Sequence, residues 1–450
     1  MQNDAQGSHL VAVIGAGPAG LFAAKQLTSE GVRVVLFNRD IKPGGLAEYG
    51  IYPDKHKMKD GLRNQFQQIL TSPLLEYYGN ITVGAQGDIS LDDFRQMGFQ
   101  AVLVTAGAQG TKWLGLPGEE LKGVYHAKDL VYHYNRLPPF SQQSFSIGCR
   151  VAIIGVGNVM LDITHYLASR LKVDEIIAIA RRGPGEVKYD KKELEAVAGY
   201  LDMGAVEAEF QRAAPVMHAL GQDPAEPLAF IQSALVKAPP PEADTCFKIQ
   251  FMASPVRILG GADGRVNGLE VEENELGEVN GEVKARGLGT YHRLNVDSVI
   301  FAIGDCVDRG FGLPLNGTEF VRNPQPRFPV DDLSYEAYDP QRGCPLDGVF
   351  VAGWARQAST GLVGIARRDG ANGAKAVLGY LRSQPELTHI DLDPLKARLA
   401  RIDKPMVDLV DLERLSEAER QYARESGLEE YKYSTNEEML AVISRETSKG

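Results

Sequence analysis

Short apolar runs that stop at glycine set the pattern of the first 40 residues. Residues 10–14 are apolar and lead into Gly15-Ala-Gly-Pro-Ala-Gly20, after which apolar positions at helical spacing follow over residues 21–27. A second apolar run covers residues 32–37. This order predicts a strand, a glycine turn, a helix and a parallel strand, the context in which a G-x-G-x-x-G fingerprint binds a dinucleotide.

The same pattern recurs in the middle of the chain. An apolar strand pattern at 150–154 precedes Gly155-Val-Gly-Asn-Val-Met160, followed by a helical pattern to residue 171 and a strand at 175–180. Met160 stands where the third glycine would be, so this copy alone is the weaker signal. Together the two copies predict an α/β protein with two Rossmann-like dinucleotide-binding domains.

Three further apolar runs, at residues 101–107, 298–304 and 348–353, end in small residues. Small residues at strand ends let a cofactor lie against the backbone, although such runs could equally be plain core. Residues 263–293 alternate and are rich in glycine, which predicts a meander of short strands. After about residue 391 the chain is charged and helical, and Ser416 with Glu419 and Thr435 with Glu438 have the spacing of capping boxes.

Length and charge limit the classes of function. A chain of 450 residues is expected to hold at least two domains. The net charge of −11 argues against a nucleic-acid binder. Since no run of about 18 apolar residues occurs, we predict no membrane span. The first strand starts near Leu10 after a short polar leader, so we expect no targeting segment and a cytoplasmic location.

The cysteines shape the expected chemistry. Cys149, Cys246, Cys306 and Cys344 are far apart and form no C-x-x-C pair. Neither a redox dithiol nor a thiolate metal site is indicated, and we predict no metal. We therefore expect no internal disulfide to take part in the chemistry of this chain.

Each fingerprint residue has a physical task. Gly15 permits the tight turn, Gly17 lets a pyrophosphate approach the backbone, and Gly20 allows close packing of helix and strand. The helix start then offers free N–H groups to phosphate oxygens. At the end of the second strand, where an acidic residue usually holds the ribose, this chain has Asn38, whose amide can still pair with a hydroxyl.

The second copy carries a signal for the type of nucleotide. Its second strand ends in Arg181-Arg-Gly-Pro184. Two guanidinium groups there can clamp a 2′-phosphate, which favours NADP over NAD, whereas the alternative is a solvated arginine pair.

Several longer motifs resemble the adrenodoxin reductase type of ferredoxin–NADP reductase, a group of two-domain flavoproteins, almost from end to end. They are Pro43-Gly-Gly-Leu-Ala-Glu-Tyr-Gly-Ile-Tyr-Pro-Asp54, Leu116-Pro-Gly-Glu-Glu120, Gly157-Asn-Val-Met-Leu-Asp162, Arg181-Arg-Gly-Pro184 with Lys192-Glu-Leu194, Gly353-Trp354 through Thr360-Gly361, and Leu415-Ser-Glu-Ala-Glu to Glu438-Met-Leu440. The resemblance implies three-layer ββα domains. FAD would occupy a domain of residues 1–109 and 308–450, and NADP a domain of residues 110–307 inserted in it.

The resemblance also implies particular contact residues. For FAD these are Gly15, Gly17, Pro18, Ala19, Asn38, Leu46, Val83, Trp354 and the backbone of Gly361, Leu362 and Val363. For NADP they are Asn158, Val159, Arg181, Arg182 and Glu193. The fingerprint and the strand ends add Gly20, Ala106, Gly107, Gly155, Gly157 and Gly353 to the cofactor-binding set.

Two residues are candidates for catalytic proton handling because the resemblance places their segments near the flavin. They are His56 and Glu193, for which a solvated loop residue and an exposed helix residue are the respective alternatives. Trp354 is expected to pack on a nicotinamide or flavin edge, the alternative being an ordinary core tryptophan.

The chain departs from this group where the electron acceptor would bind. An arginine-rich docking segment is missing, because residues 201–245 contain only Arg212 and Lys237 against seven acids. Candidate basic patches lie instead at residues 55–59, 188–192 and 367–368. Residues 364–368 are similar to the small subunit of glutamate synthase.

Three functions therefore stay open. The first is an NADPH-dependent flavoprotein reductase of an iron–sulfur protein, and the second is an electron-entry subunit of a larger complex, like the small subunit of glutamate synthase. The third is a nucleotide-binding regulatory protein without redox activity, for which Asn38 and Met160 are the only support. The oligomeric state is not predicted.

Overall fold

The computed structural model describes residues 7–359, 361 and 363–447. The strands are β1 (His9–Ile14), β2 (Val32–Phe37), β3 (Leu75–Tyr78), β4 (Ala101–Val104), β5 (Gly110–Thr111), β6 (Val124–His126), β7 (Arg150–Ile154), β8 (Glu175–Ile179), β9 (Cys246–Gln250), β10 (Ala253–Gly260), β11 (Val266–Val279), β12 (Glu282–Leu294), β13 (Ser298–Phe301), β14 (Asp305–Cys306), β15 (Leu315–Asn316), β16 (Glu319–Phe320), β17 (Glu336–Asp339) and β18 (Cys344–Val351).

The α-helices are α1 (Pro18–Ser29), α2 (Leu46–Tyr49), α3 (His56–Leu70), α4 (Leu91–Gln96), α5 (Ala127–Tyr134), α6 (Asn158–His165), α7 (Lys191–Glu195), α8 (Met203–Ala219), α9 (Ala225–Leu235), α10 (Val363–Leu381), α11 (Asp393–Leu399), α12 (Leu409–Glu425) and α13 (Asn436–Thr447). Within the described ranges, no helix is both long enough and apolar enough to cross a membrane.

The chain divides into two compact units. Unit 1 comprises residues 1–111, 132–142 and 304–450, and unit 2 comprises residues 112–131 and 143–303. Unit 1 therefore combines segments from both ends of the chain.

Unit 1 contains a sheet in the order β17-β18-β4-β1-β2-β3. The strands from β18 to β3 are parallel and β17 is antiparallel. Alternate residues of β1 face two different core clusters, Val11 and Val13 on one side and Leu10, Ala12 and Ile14 on the other. A sheet buried on both faces explains why its strands are continuous apolar runs.

The register of unit 1 brings several strand ends to one edge. Ile14 lies opposite Phe37 and Val104, and Val104 lies opposite Val351. The glycine turn after β1 and the small residues after β4 and β18 therefore share the carboxyl edge of the sheet, where ligands of open α/β sheets bind.

Unit 2 contains a parallel sheet in the order β6-β13-β7-β8-β9 and an antiparallel sheet β10-β11-β12. Residues 263–293 form antiparallel strands as expected, but the strands are long rather than short, because β11 and β12 form one long hairpin. Turn residues Asn280 and Gly281 have φ of 54° and 77°, which allows the tight reversal that joins the two long strands.

The structure corrects the prediction for the second fingerprint helix and one of the two predicted capping boxes, and it confirms the other capping box. The second fingerprint helix begins at Asn158, and its last part, Tyr166–Leu171, is a π-helix. Ser416 lies inside α12, whose start is capped by Asp408, so the predicted capping box at Ser416 is wrong. Thr435 and Glu438 do form one, since each side chain accepts a hydrogen bond from the other's backbone N–H at 3.1 Å.

Candidate functional site

The glycine turn after β1 has the three features that the fingerprint predicts. Gly15 has φ of +104°, and a Cβ there would lie 2.6 Å from the carbonyl oxygen of Thr105. At Gly20 a Cβ would lie 1.9 Å from the carbonyl oxygen of Gly15, so helix and turn are in direct contact. Among the described residues, no atom outside Gly17 and its two chain neighbours lies within 4 Å of a Cβ built on Gly17. The turn is thus tightly packed on two sides and open at Gly17, which leaves a cradle where a pyrophosphate fits.

The start of α1 supplies donors to this cradle. Pro18 has no N–H, and the first helical bond runs from Leu21 N to Gly17 O. The N–H groups of Ala19 and Gly20 therefore have no partner inside the helix and can donate to an anion.

A second glycine turn, at Gly44 and Gly45, packs against the first. The fingerprint pattern alone did not predict it. Gly44 N donates to Ala16 O at 2.7 Å, and a Cβ on Gly45 would lie 3.1 Å from Gly17 Cα. The tandem glycines in Pro43-Gly-Gly-Leu46 were the available signal, because only a residue without a side chain fits so close to another backbone.

Asn38 is buried and holds the loop rather than presenting a free amide. Its Oδ1 accepts from Ala16 N at 3.0 Å, and its Nδ2 donates to Asp40 O at 2.8 Å and to Lys42 O at 3.0 Å. Both amide hydrogens are used by the protein, so only the remaining lone pair of Oδ1 is available to a ribose. Asn38 thus fixes the glycine turn to the end of β2.

Thr105, the residue directly after β4, hydrogen-bonds to the glycine turn. Thr105 Oγ1 donates within 2.8 Å of Gly15 O and 3.0 Å of Ile14 O. Ala106 and Gly107 follow and are half-buried. The sequence predicted cofactor contacts for Ala106 and Gly107 but not for Thr105.

The turn after β18 lies against the start of α1. A Cβ on Gly353 would lie 2.6 Å from Ala19 Cβ, and Trp354 follows in a short 3-10 turn, Gly353–Ala355. The Trp354 side chain is half-buried, unlike the fully buried alanines on either side of the turn. Its position beside the cradle fits a role at the cofactor.

The remaining predicted FAD contacts are distributed as follows. Leu46 is half-buried at the start of α2, Val83 is buried in the core, Gly361 is exposed and Val363 begins α10. Leu362 and the quoted Thr360 lie outside the described residues.

The turn after β7 in unit 2 repeats the cradle. Gly155 has φ of +112°, with a would-be Cβ 2.4 Å from Ala302 O. Near Gly157, by contrast, the described part of the chain places no atom beyond its chain neighbours within 4 Å of a would-be Cβ. Gly157 precedes α6, so the N–H groups of Asn158 and Val159 lie at the helix start. Met160 is fully buried in the place of the third glycine.

Asn158 is fixed by the segment before α7. Its Nδ2 donates to Asp190 Oδ2 at 2.7 Å, and its Oδ1 accepts from Asp190 N at 2.8 Å. Lys188, two residues earlier, bridges to Gly157. Residues 188–190 therefore form one wall of the second cradle.

Arg181 and Arg182 follow β8 as predicted. Arg181 is exposed and Arg182 is half-buried. Within the part of the chain that the structure describes, no hydrogen bond or ion pair involves either guanidinium group. Two cations without a protein anion at this strand end are available to a phosphate group.

The two candidate proton-handling residues lie in different surroundings. His56 begins α3, where its Nε2 lies 3.1 Å from Glu429 and its Nδ1 lies 3.7 Å from Glu430. Glu193 is half-buried in α7. The contact of His56 with the C-terminal segment was not visible in the sequence.

His56 borders a buried charge cluster that ties residues 429–433, here called the tail segment, to α2 and α3. Glu48 lies 2.9 Å from Lys432 and 2.7 Å from Arg63, and Lys59 lies 3.5 Å from Glu430. Burial lowers the pKa of Lys59 to about 8. Although burial opposes it, the cations Lys432, Arg63 and Lys59 lower the pKa of Glu430 to about 2.

The structure distinguishes the three basic patches. In residues 55–59, Lys59 is buried and Lys57 is exposed, and in residues 188–192 the first three belong to the cradle wall. Arg367 stands over the ring of Phe22 at 4.1 Å beside a surface groove of about 650 Å³ that Lys25 also lines. Arg368 and Lys25 are exposed, so this third patch also lies on the surface.

Comparison with known proteins agrees with this geometry. Residues 9–200 match the sequence profile of the family described as pyridine nucleotide-disulphide oxidoreductase. Over 406 residues the chain is 28% identical to the mitochondrial NADPH:adrenodoxin oxidoreductase of Salvelinus fontinalis, covering 82% of this chain and 77% of the relative. Over 398 residues it is 28% identical to the NADPH-ferredoxin reductase FprA of Mycobacterium leprae, covering 80% and 81%.

The fold is also that of a solved relative. The structure of FprA, an oxidoreductase of Mycobacterium tuberculosis, superimposes with a TM-score of 0.80 at 23% identity over 96% of this chain and 99% of that one. The predicted fold class and the predicted resemblance are therefore confirmed.

Proposed function

We propose that this chain, a relative of the NADPH:adrenodoxin oxidoreductases, is an FAD-dependent enzyme that oxidises NADPH and passes the electrons to an iron–sulfur protein. The observation that carries the proposal is the pair of glycine cradles, each open at its second glycine. Beside the second cradle lie Arg181 and Arg182, whose guanidinium groups have no hydrogen bond or ion pair among the described residues. The first cradle would hold FAD and the second NADPH.

The residues of unit 1 fit FAD. Gly17 and Gly45 leave room for the pyrophosphate, and Ala19 and Gly20 would donate N–H groups to it. Trp354 would pack against the ring system. When bound, FAD accepts a hydride and releases electrons singly, chemistry that no side chain supplies.

The residues of unit 2 fit NADPH. Asn158 and Val159 at the start of α6 would donate to its pyrophosphate, and Arg181 and Arg182 would pair with its 2′-phosphate. We retain His56 and Glu193 as the candidates for moving a proton. A His56→Gln variant tests His56. Loss of one of the pH-dependent slopes of turnover that the parent shows would support proton transfer by His56.

The acidic surface of α8 and α9 favours a second candidate, an electron-entry subunit of a larger complex. Residues 201–245 carry seven acids against Arg212 and Lys237, and Glu207, Asp223 and Glu226 are exposed. An acidic carrier would be repelled there, so a permanent iron–sulfur partner with a basic face is the alternative acceptor.

Purification of the protein distinguishes the free-standing reductase from the electron-entry subunit. Yellow protein with flavin absorbance that oxidises NADPH and reduces a small ferredoxin by itself supports the free-standing reductase. Co-purification with an iron–sulfur protein, together with slow reduction of added ferredoxin, supports the subunit. Colourless protein that binds no added FAD would contradict both.

The patch at Lys25 and Arg367 offers a docking test for a free-standing reductase. Reversing both charges to glutamate should raise the Michaelis constant for an acidic ferredoxin at low salt, while NADPH oxidation with a small artificial acceptor stays unchanged. Arg382→Glu is the matched control, because Arg382 is exposed just after the far end of α10, roughly 22 Å along the helix axis from Arg367.

A further inference from the structure

One carboxylate in unit 1 accepts an unusual set of hydrogen bonds. Asp369, in α10, accepts from Gly353 N at 2.6 Å through Oδ2 and from Tyr335 Oη at 3.1 Å through Oδ1. Arg356 donates to the same carboxylate from Nε at 3.0 and 3.1 Å and from Nη2 at 2.6 Å. Both oxygens are therefore occupied by donors of the protein.

The partners of Asp369 enclose Trp354. Gly353 precedes the tryptophan and Arg356 follows it by two residues, so the carboxylate holds the 3-10 turn at both ends. The guanidinium of Arg356 also lies 4.8 Å from the centre of the fully buried Tyr335 ring. The exposed fractions of the Arg356 and Asp369 side chains are only 9% and 12%.

The same helix continues into close contact with α1. A Cβ on Gly370, next to Asp369, would lie 2.1 Å from Ala19 O. The cradle, the Trp354 turn and α10 therefore meet within a few ångströms, and Asp369 is the polar group that joins the last two.

We propose that Asp369, with Arg356 and Tyr335, is a positioning residue that sets the Trp354 side chain against the redox ring bound in unit 1. The inference rests on the proposed function, since it assigns Trp354 a place at that ring. A charged, short hydrogen bond to a backbone N–H is stronger than a neutral one, so it restrains the turn more than packing alone. Because ring positioning dominates hydride transfer, loosening this turn should reduce turnover rather than NADPH binding.

The two tryptophans of the chain, Trp113 and Trp354, make a direct test possible. In a Trp113→Phe background, Trp354 is the sole tryptophan, and bound FAD should quench its emission. Adding Asp369→Asn should weaken that quenching and lower kcat by about 10- to 100-fold, with the Michaelis constant for NADPH and the FAD content little changed.

Asp331→Asn is the matched control, because Asp331 also pairs with residues of α10, namely Arg368 at 3.4 Å and Asn372 at 3.1 Å, and none of its described hydrogen bonds or ion pairs goes to the Trp354 turn. It should keep both quenching and kcat. If Asp369→Asn disturbs folding by circular dichroism, Tyr335→Phe, which removes one hydrogen bond, should show the same changes to a smaller extent.

The outcomes separate this inference from the proposed function. Unchanged quenching and kcat in folded, FAD-loaded Asp369→Asn protein would overturn the positioning role while leaving the enzyme assignment intact. A Trp113→Phe parent that binds no FAD would instead overturn the proposed function.

Discussion

Asn38 Oδ1 accepts a hydrogen bond from Ala16 N at 3.0 Å, which ties the end of β2 directly to the first glycine turn. The amide hydrogens of the same side chain are used by Asp40 O and Lys42 O. The residue that departs from the usual ribose-binding acid has thus become a structural link of the cradle.

Asn38→Asp should therefore weaken the protein rather than improve FAD binding. A carboxylate cannot donate to the two carbonyl groups, and each buried polar group left without a partner costs about 1–3 kcal/mol. We expect the free energy of unfolding in urea to fall by about 2 kcal/mol or more. Tighter FAD binding by Asn38→Asp, measured by titration of the apoprotein, would show that the ribose contact dominates instead.

The open and packed glycines of the first cradle should respond differently to alanine. The methyl group of Gly17→Ala meets no atom of the rest of the described chain, so the variant should fold normally but lose FAD, because the methyl group fills the pyrophosphate site. Gly20→Ala would place a Cβ 1.9 Å from a carbonyl oxygen and should fail to fold. The measurements are flavin content and circular dichroism, and equal behaviour of both variants would contradict an open cradle.

Gly157→Ala should act on the other nucleotide. The variant is expected to retain FAD but to raise the Michaelis constant for NADPH, since its Cβ also enters empty space. Loss of FAD from Gly157→Ala would mean that the two cradles have been assigned to the wrong cofactors.

Replacing Arg181 and Arg182 by alanine should raise the Michaelis constant for NADPH by roughly 10- to 100-fold, as expected for loss of charged hydrogen bonds worth about 1.5–3 kcal/mol. NADH lacks the 2′-phosphate, so its Michaelis constant should hardly change. Arg150→Ala is the control, because Arg150 starts β7, at the end remote from the cradle, and pairs with Asp297 at 2.9 Å. Equal effects on both nucleotides would defeat the phosphate assignment.

The positions of these arginines and glycines in the fold could be predicted because they depend on neighbours in sequence. A glycine turn between an apolar strand and a helix has one common use, and Arg181 follows a recognisable strand. The contacts of Asp369 with Gly353 and of Lys432 with Glu48 could not be predicted from the sequence, because strand order and chain reversals decide which distant residues meet. Alternation also misled the reading of residues 263–293, since it predicts strand character but not strand length.

The charge cluster of the tail segment predicts acid sensitivity. Glu430 has its pKa lowered from 4.5 to about 2, so it stabilises the folded state above pH 4.5 and loses this effect as the pH falls toward 2. Glu430→Gln should cost about 2–3 kcal/mol at pH 7, with the difference from the parent shrinking below pH 4.5. Urea unfolding of the parent and of Glu430→Gln at about pH 7, 4 and 2.5 measures how the difference in their free energies of unfolding changes with pH.

The adjacent Glu429 provides the control for that experiment. Its side chain is 81% exposed and contacts His56 alone among the described ion pairs. Glu429→Gln should leave the stability at pH 7 unchanged. A loss as large as that of Glu430→Gln would show that surface charge, rather than the buried cluster, accounts for the effect.

The discontinuity of unit 1 has a consequence for biosynthesis. Every strand of the parallel sheet of unit 2 has left the ribosome before β18, α10 and the tail segment are translated. Unit 2 can therefore fold during translation, whereas the first fingerprint must wait for partners made more than 300 residues later. A nascent chain released at that stage would hold a finished nucleotide unit and only four of the six strands of the other sheet, β1 to β4, so that the edge of β4 would be exposed.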